Sequence, residues 1–301
     1  MNSASSPHPV PRRALVLGGG GSAGNAWLIG VIAGLAEAGL DVTDADLIVG
    51  TSAGSTAAAQ VTSAAPADLF AATISSPPPP SAPGGTRARP TGPSLQSHHL
   101  DRMKAIIADA SDADDWRRKM GQELEKDAAA ITSSRWRATV AARFPTALWP
   151  RQRVVVTAVD ARSGTPVVFD RDSGTDLVDA VAASCAGGFA YGIGDARYID
   201  GGYRSNADNA DLAAGYERVL VLSPLGGRSF TPVEWGTHLA TQVDQLRAQG
   251  SSVETVFPDA ASLAAFGDNM MNPLTRPPAA RAGYEQAITM ADRLAELWRV
   301  S

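Results

Sequence analysis

The chain has 301 residues, 44% of them hydrophobic, and a net charge of −5. That length and composition support a sizeable core and exclude global disorder. Without a basic stripe there is no footprint for nucleic acid, and with Cys185 as the sole cysteine neither an intrachain disulfide nor a cysteine-based metal site can form.

Residues 1–11 are polar and proline-containing and read as a disordered tail. They lack an apolar core of signal-peptide length, and no run reaches the ~18 apolar residues of a membrane span. A soluble, reducing, cytoplasmic setting is expected, with transient peripheral membrane contact left open. "RALVLGGGG" then reads as a buried strand at Ala14–Leu17 running into a glycine loop, and "AWLIGVIAGLAEAGL" as a helix closed near Gly39. "DLIVG" is a second buried strand, followed by a helix of small residues, "TSAGSTAAAQV". Uniformly apolar strands alternating with helices predict a parallel sheet covered on both faces.

Residues 74–94 are rich in proline and glycine and predict a long surface loop. Residues 98–143 read as a helical insertion, with Leu100, Met103, Ile106 and Ile107, then Trp116, Met120 and Leu124, at helical spacing. Further strands are expected at 153–160, at 166–170, before "DGG" at 200–202, in "ERVLVLSP" and in "SVETVFPD". The C-terminal segment predicts an amphipathic helix docked on the sheet through Tyr284, Ile288, Leu294, Leu297 and Trp298. Residues 12–301 are therefore expected to form a single α/β domain.

Gly-x-Ser-x-Gly occurs twice, as "GGSAG" at 20–24 and "GTSAG" at 50–54. About 0.2 chance matches are expected at this glycine content, so the flanks must decide. A nucleophile turn needs the strand to end just before the first glycine, with the serine at the apex and a helix immediately after it. Gly50–Gly54 meets this, which makes Ser52 the candidate nucleophile at a helix N-terminus. Ser22 is held off its strand by four glycines. The loop Gly19–Gly24, with Gly19, Gly20, Gly21 and Gly24, instead suits an oxyanion hole, where backbone N–H groups face developing negative charge. Ser22 is read as structural, capping the following helix.

The candidate base is Asp200, delivered by a strand end and followed by Gly201 and Gly202, which let the chain turn away. His238 is the competing base, in chain order with Ser52 and Asp200 as an α/β-hydrolase esterase would require. His8, His98 and His99 lie in the tail or beside the proline-rich stretch.

Together, "LVLGGGGSAG", "GTSAG" and the late "DGG" resemble the patatin-like phospholipase family over roughly residues 13–225. The resemblance implies a three-layer α/β/α sandwich with a mainly parallel sheet. It also implies a Ser–Asp dyad, Ser52 and Asp200, hydrolysing acyl esters of lipids, some of them at a membrane surface, without metal or cofactor. Three features depart from the family pattern: Ala23 where arginine is frequent, one residue added before Gly30, and no proline after "ASCA". Two further readings stay open. One is a non-catalytic lipid-binding or scaffold protein on the same fold. The other is a dinucleotide site at the first glycine loop, which lacks the acid expected at the end of the second strand.

Overall fold

The computed structural model describes residues 12–75, 95–126 and 132–299. The predicted tail at 1–11 and nearly all of the predicted loop at 74–94 lie outside these residues.

Strand β1 (Arg13–Leu17) puts Leu15 and Leu17 into one apolar cluster and Ala14 and Val16 into another, on opposite faces of the sheet. A strand buried on both sides must be apolar throughout, which is why it reads as a continuous run. Helix α1 (Gly21–Glu37) returns the chain to β2 (Leu47–Gly50), which α2 (Ala53–Val61) and α3 (Pro66–Ile74) follow. Among the described residues the helical insertion forms three helices, α4 (Leu95–Asp109), α5 (Ala113–Lys126) and α6 (Ser133–Ala141). The expected stripe of Ile107, Trp116, Met120 and Leu124 is buried against Val159 and Ile199.

Next come β3 (Arg153–Asp160), β4 (Pro166–Phe169), α7 (Leu177–Ser184), the short β5 (Tyr191–Ile193) and β6 (Ala196–Asp200). Two 3-10 turns (Gly201–Tyr203 and Ala210–Ala213) lead to β7 (Arg218–Leu222), α8 (Leu239–Ala248) and β8 (Ser252–Val256). Helices α9 (Ala260–Phe266) and α10 (Arg276–Trp298) end the fold. The sheet order is β5-β6-β3-β2-β1-β7-β8, with β4 paired to β3, and β3, β2, β1, β7 and β8 are mutually parallel. Helices α1, α2, α7 and α10 contribute to the cluster on one face, and α8 with the turn at Ala210–Ala213 to the other. The predicted three-layer α/β/α architecture is observed. Among the described residues no helix is long and apolar enough to cross a membrane.

The C-terminal helix departs from its reading. It packs along α1 as well as towards the sheet. A Cβ on Gly30 would lie 2.0 Å from the Ala280 carbonyl oxygen, and one on Gly283 2.6 Å from that of Trp27. Its buried face is Ala280, Ala287, Ala291, Leu294 and Trp298, whereas Ile288 is exposed. Small residues, invisible to a search for large apolar ones, let the two axes approach.

The arrangement that builds the site is at β3. Val156 pairs with Gly50 of β2 and with Phe169 of β4, so these two strands lie on opposite edges of β3. Ala158 pairs with Val167 of β4 and with Asp200 of β6, so β6 also lies opposite β4. Strands β2 and β6 therefore share one edge of β3 and run towards each other along it, ending two β3 residues apart. Asp200 was expected at the end of a parallel strand; β6 is antiparallel, and it reaches the site from the far end of the same edge.

Candidate active site

Gly50 and Gly54 have no room for a side chain. A Cβ on Gly50 would sit 2.6 Å from Ser55 Cα, and one on Gly54 1.9 Å from the Leu17 carbonyl oxygen. This close approach of α2 to the ends of β1 and β2 forces Ser52 to φ 52°, ψ −116°, one of two non-glycine residues with positive φ among those described. Such a conformation costs about 1–3 kcal/mol and persists only where its surroundings impose it. Those surroundings are visible. The Ser52 N–H donates to Ser184 Oγ (2.9 Å), and its carbonyl accepts from Ser55 Oγ (2.7 Å) and Cys185 Sγ (3.1 Å).

Ser52 Oγ donates to Asp200 Oδ2 at 2.8 Å, while Asp200 Oδ1 accepts from the Gly202 N–H at 2.8 Å. One carboxylate oxygen is thus held by its own turn and the other is left for the serine. Burial pushes the Asp200 carboxyl up to about 6, although the Gly202 and Ser52 hydrogen bonds pull it back. Gly201 is confined because a Cβ there would lie 2.1 Å from Thr157 Oγ1. Thr157 fills the gap between the two strand ends, and Asn209 Nδ2 bridges it, donating to Thr51 Oγ1 (3.0 Å) and to the Gly201 carbonyl (3.0 Å).

The first glycine loop lies against the serine: a Cβ on Gly19 would be 3.4 Å from Ser52 Cβ. Its N–H groups are not equivalent. Gly19 donates to the Ala207 carbonyl (2.7 Å), Ala23 to Met270 (2.9 Å) and Gly24 to Gly20 (2.9 Å). Among the described residues the N–H groups of Gly20, Gly21 and, in the turn after Ser52, Ala53 have no acceptor. Gly19 and Gly24 therefore shape the loop, and the free donors are narrower than the sequence reading. Gly20 is the N-cap of α1 and no side chain caps the helix, so Ser22 lies inside its first turn and is not the expected cap.

His238 is not part of this arrangement. It is the N-cap residue of α8, with Nε2 2.7 Å from the Thr231 carbonyl oxygen. The helical segment predicted around it is divided into a 3-10 turn at Val233–Trp235 and α8.

Sequence reasoning missed several neighbours. Ser184 and Cys185 lie at the end of α7, where the segment that follows wraps the aspartate. The Asp200 N–H donates to the Ala186 carbonyl (3.1 Å), and Tyr203 Oη donates to that of Gly187 (2.5 Å). Asp208 is buried behind the glycine loop. Its Oδ2 accepts from Ser223 Oγ (3.0 Å), its Oδ1 has no partner among the described residues, and a Cβ on Gly18 would overlap it at 2.1 Å. Burial pushes this carboxyl up to about 7. Ser184 and Cys185 belong to the "ASCA" segment, which the sequence marks only by the proline missing after it, and Asp208 stands in no recognisable motif. The four consecutive glycines were the available signal that something packs tightly there.

The model of the patatin-like phospholipase family matches residues 15–213. Among solved structures, VipD from Legionella pneumophila is 14% identical, with 95% of this chain and 67% of VipD covered and a TM-score of 0.46. The type III effector protein ExoU is 15% identical, with 94% of this chain and 54% of ExoU covered and a TM-score of 0.39. The chain thus spans about two thirds of the VipD chain and about half of the ExoU chain. No curated protein matches it. Both glycine turns and the aspartate turn fall within the matched residues, and the chain belongs to the patatin-like phospholipase family.

Proposed function

We propose that the chain is a serine hydrolase that cleaves acyl esters of lipids, with Ser52 as nucleophile and Asp200 as general base. The observation that carries this reading is the direct 2.8 Å hydrogen bond between Ser52 Oγ and Asp200 Oδ2, at a serine held in a strained turn. Asp200 takes the serine proton as Oγ attacks the ester carbonyl. The negative charge that forms on the carbonyl oxygen is met by the free N–H groups of Gly20, Gly21 and Ala53, each such donor typically contributing about 10²–10³ in rate. The proton passes to the departing alcohol, and a water activated by Asp200 then releases the acyl-enzyme. The dyad works without a third residue because the Gly202 N–H already orients the carboxylate.

Labelling by a fluorophosphonate, together with hydrolysis of p-nitrophenyl esters, tests the assignment. Ser52→Ala should abolish both. Ser22→Ala and His238→Ala should leave both in place. Loss of labelling in Ser22→Ala with retention in Ser52→Ala would reverse the roles of the two glycine turns. Turnover lost in His238→Ala would instead restore the histidine-dependent esterase.

A further inference from the structure

His99, one of four histidines in the chain, lies on α4 with its Nε2 2.9 Å from Tyr203 Oη. Tyr203 closes the turn that follows Asp200 and is buried among Ile107, Trp116, Met120 and Ile199. Its hydroxyl donates to the Gly187 carbonyl (2.5 Å). A phenol carries one proton. With that proton on Gly187, the Tyr203 oxygen can only accept from His99, which assigns the imidazole proton to Nε2. A relay therefore runs from His99 through Tyr203 to Gly187, each group donating to the next.

Gly187 is where the relay meets the site. A Cβ on Gly187 would lie 3.5 Å from Asp200 Oδ2, the oxygen that accepts from Ser52. The preceding carbonyl, of Ala186, accepts the Asp200 N–H. Gly188 is exposed, and a Cβ there would meet nothing within 4 Å. The segment thus has the carboxylate on one side and open space on the other. Two adjacent glycines have no side chain to anchor them and the widest backbone freedom. Among the described residues neither of their N–H groups has an acceptor, and the bond from Tyr203 is the one hydrogen bond that ties them. The chain is fixed again at Ala190, whose N–H donates to the Leu124 carbonyl (3.1 Å).

We propose that His99 and Tyr203 are positioning residues for Asp200, holding the Gly187–Gly188 backbone against the carboxylate and so limiting the water that reaches it. The proposal rests on the hydrolase reading above, in which Asp200 is the base, and adds two residues that act on that base through the backbone. Burial is what pushes the Asp200 carboxyl up. A segment that swings away admits water and lowers it. The titratable side chains whose fields meet Asp200 are Cys185 and Tyr203, and burial holds both in their neutral forms. Arg102 is the cation felt by Tyr203. None of these charges changes when the relay is cut, so a change in the Asp200 titration follows its hydration.

Carbon-13 NMR of the Asp200 carboxyl, assigned with Asp200→Asn, reads that titration without turnover. In Tyr203→Phe and in His99→Phe the midpoint should fall by about one pH unit. His99→Gln keeps an N–H donor at similar reach but no titratable ring, and should return the midpoint to that of the unaltered chain. Adding His99→Phe to Tyr203→Phe should move it no further, because the two act in series. The pH limb of kcat/KM for a p-nitrophenyl ester should shift with the midpoint, and its plateau should fall about tenfold, on the scale of one buried hydrogen bond. Thermal melting checks that each variant folds; if Tyr203→Phe does not, the comparison of His99→Phe with His99→Gln decides. An unmoved midpoint in His99→Phe overturns the proposal and leaves the pair as packing between α4 and the turn after Asp200. A midpoint that moves equally in His99→Phe and His99→Gln overturns the hydrogen-bond relay. If the unaltered chain hydrolyses no ester, the hydrolase reading fails, and the carboxyl titration still decides whether the relay acts on Asp200.

Discussion

At the scale of single residues, two buried carboxyls lie at the candidate site and only one touches Ser52. On the proposed chemistry Asp200 must be ionised to accept a proton, and burial pushes its carboxyl up to about 6. Ester hydrolysis is therefore expected to rise with pH through about 6 and level off above it, as a pH profile of kcat/KM would show. Asp200→Asn should flatten that limb and lower the rate by about 10²–10⁴-fold, the usual contribution of a general base. Asp208 acts on stability. Its carboxyl is pushed up to about 7, above the value of about 3.9 in an unfolded chain. The folded state thus holds this proton more tightly, and stability is lost as pH rises from about 4 to about 7, by a total on the order of 4 kcal/mol. Asp208→Asn removes that loss. The variant should melt at a higher temperature than the unaltered chain at pH 8, and the advantage should disappear near pH 4. A melting difference independent of pH would show that Asp208 stays charged. The sequence marked Asp200 through its two following glycines. Asp208, in "NADNADLA", has no such flank, and its role follows only from the space that Gly18 leaves.

At the scale of elements, the glycines are gaps into which other backbone fits. Gly54→Ala would drive a methyl group into the Leu17 carbonyl, 1.9 Å away. Neither partner is a flexible side chain, so α2 must lift from β1. The expected loss is about 1–3 kcal/mol of stability, with activity falling further because Ser52 moves with the helix. Denaturant unfolding and fluorophosphonate labelling separate the two effects. The same logic governs Gly30 against Ala280. The strands and the turns that carry Ser52 and Asp200 are readable because their physics is local, a buried strand ending in a tight turn. The α1–α10 contact was only half readable, because small residues leave no periodic signature. Ser22 is not a cap because the cap position falls two residues earlier, at Gly20. Gly19 and Gly24 were read as donors because nothing local reveals that Ala207 and Gly20 already accept from them.

At the scale of the whole molecule, order along the chain predicted a parallel sheet, and five strands obey it. What local pattern does not carry is the direction of β6, since an apolar strand reads alike whichever way it runs. Asp200 lies beside Ser52, but on a strand that runs opposite to the one expected. The shared edge of β3 also has a temporal side. Ser52 and Asp200 are 148 positions apart, and the strands that carry them meet only across β3. During synthesis the serine turn and the glycine loop emerge long before the carboxylate. On the proposed chemistry, a growing chain therefore carries a nucleophile without a base, inert towards every ester around it. Hydrolytic competence arrives in one late step, when β6 zips onto the last open stretch of that edge.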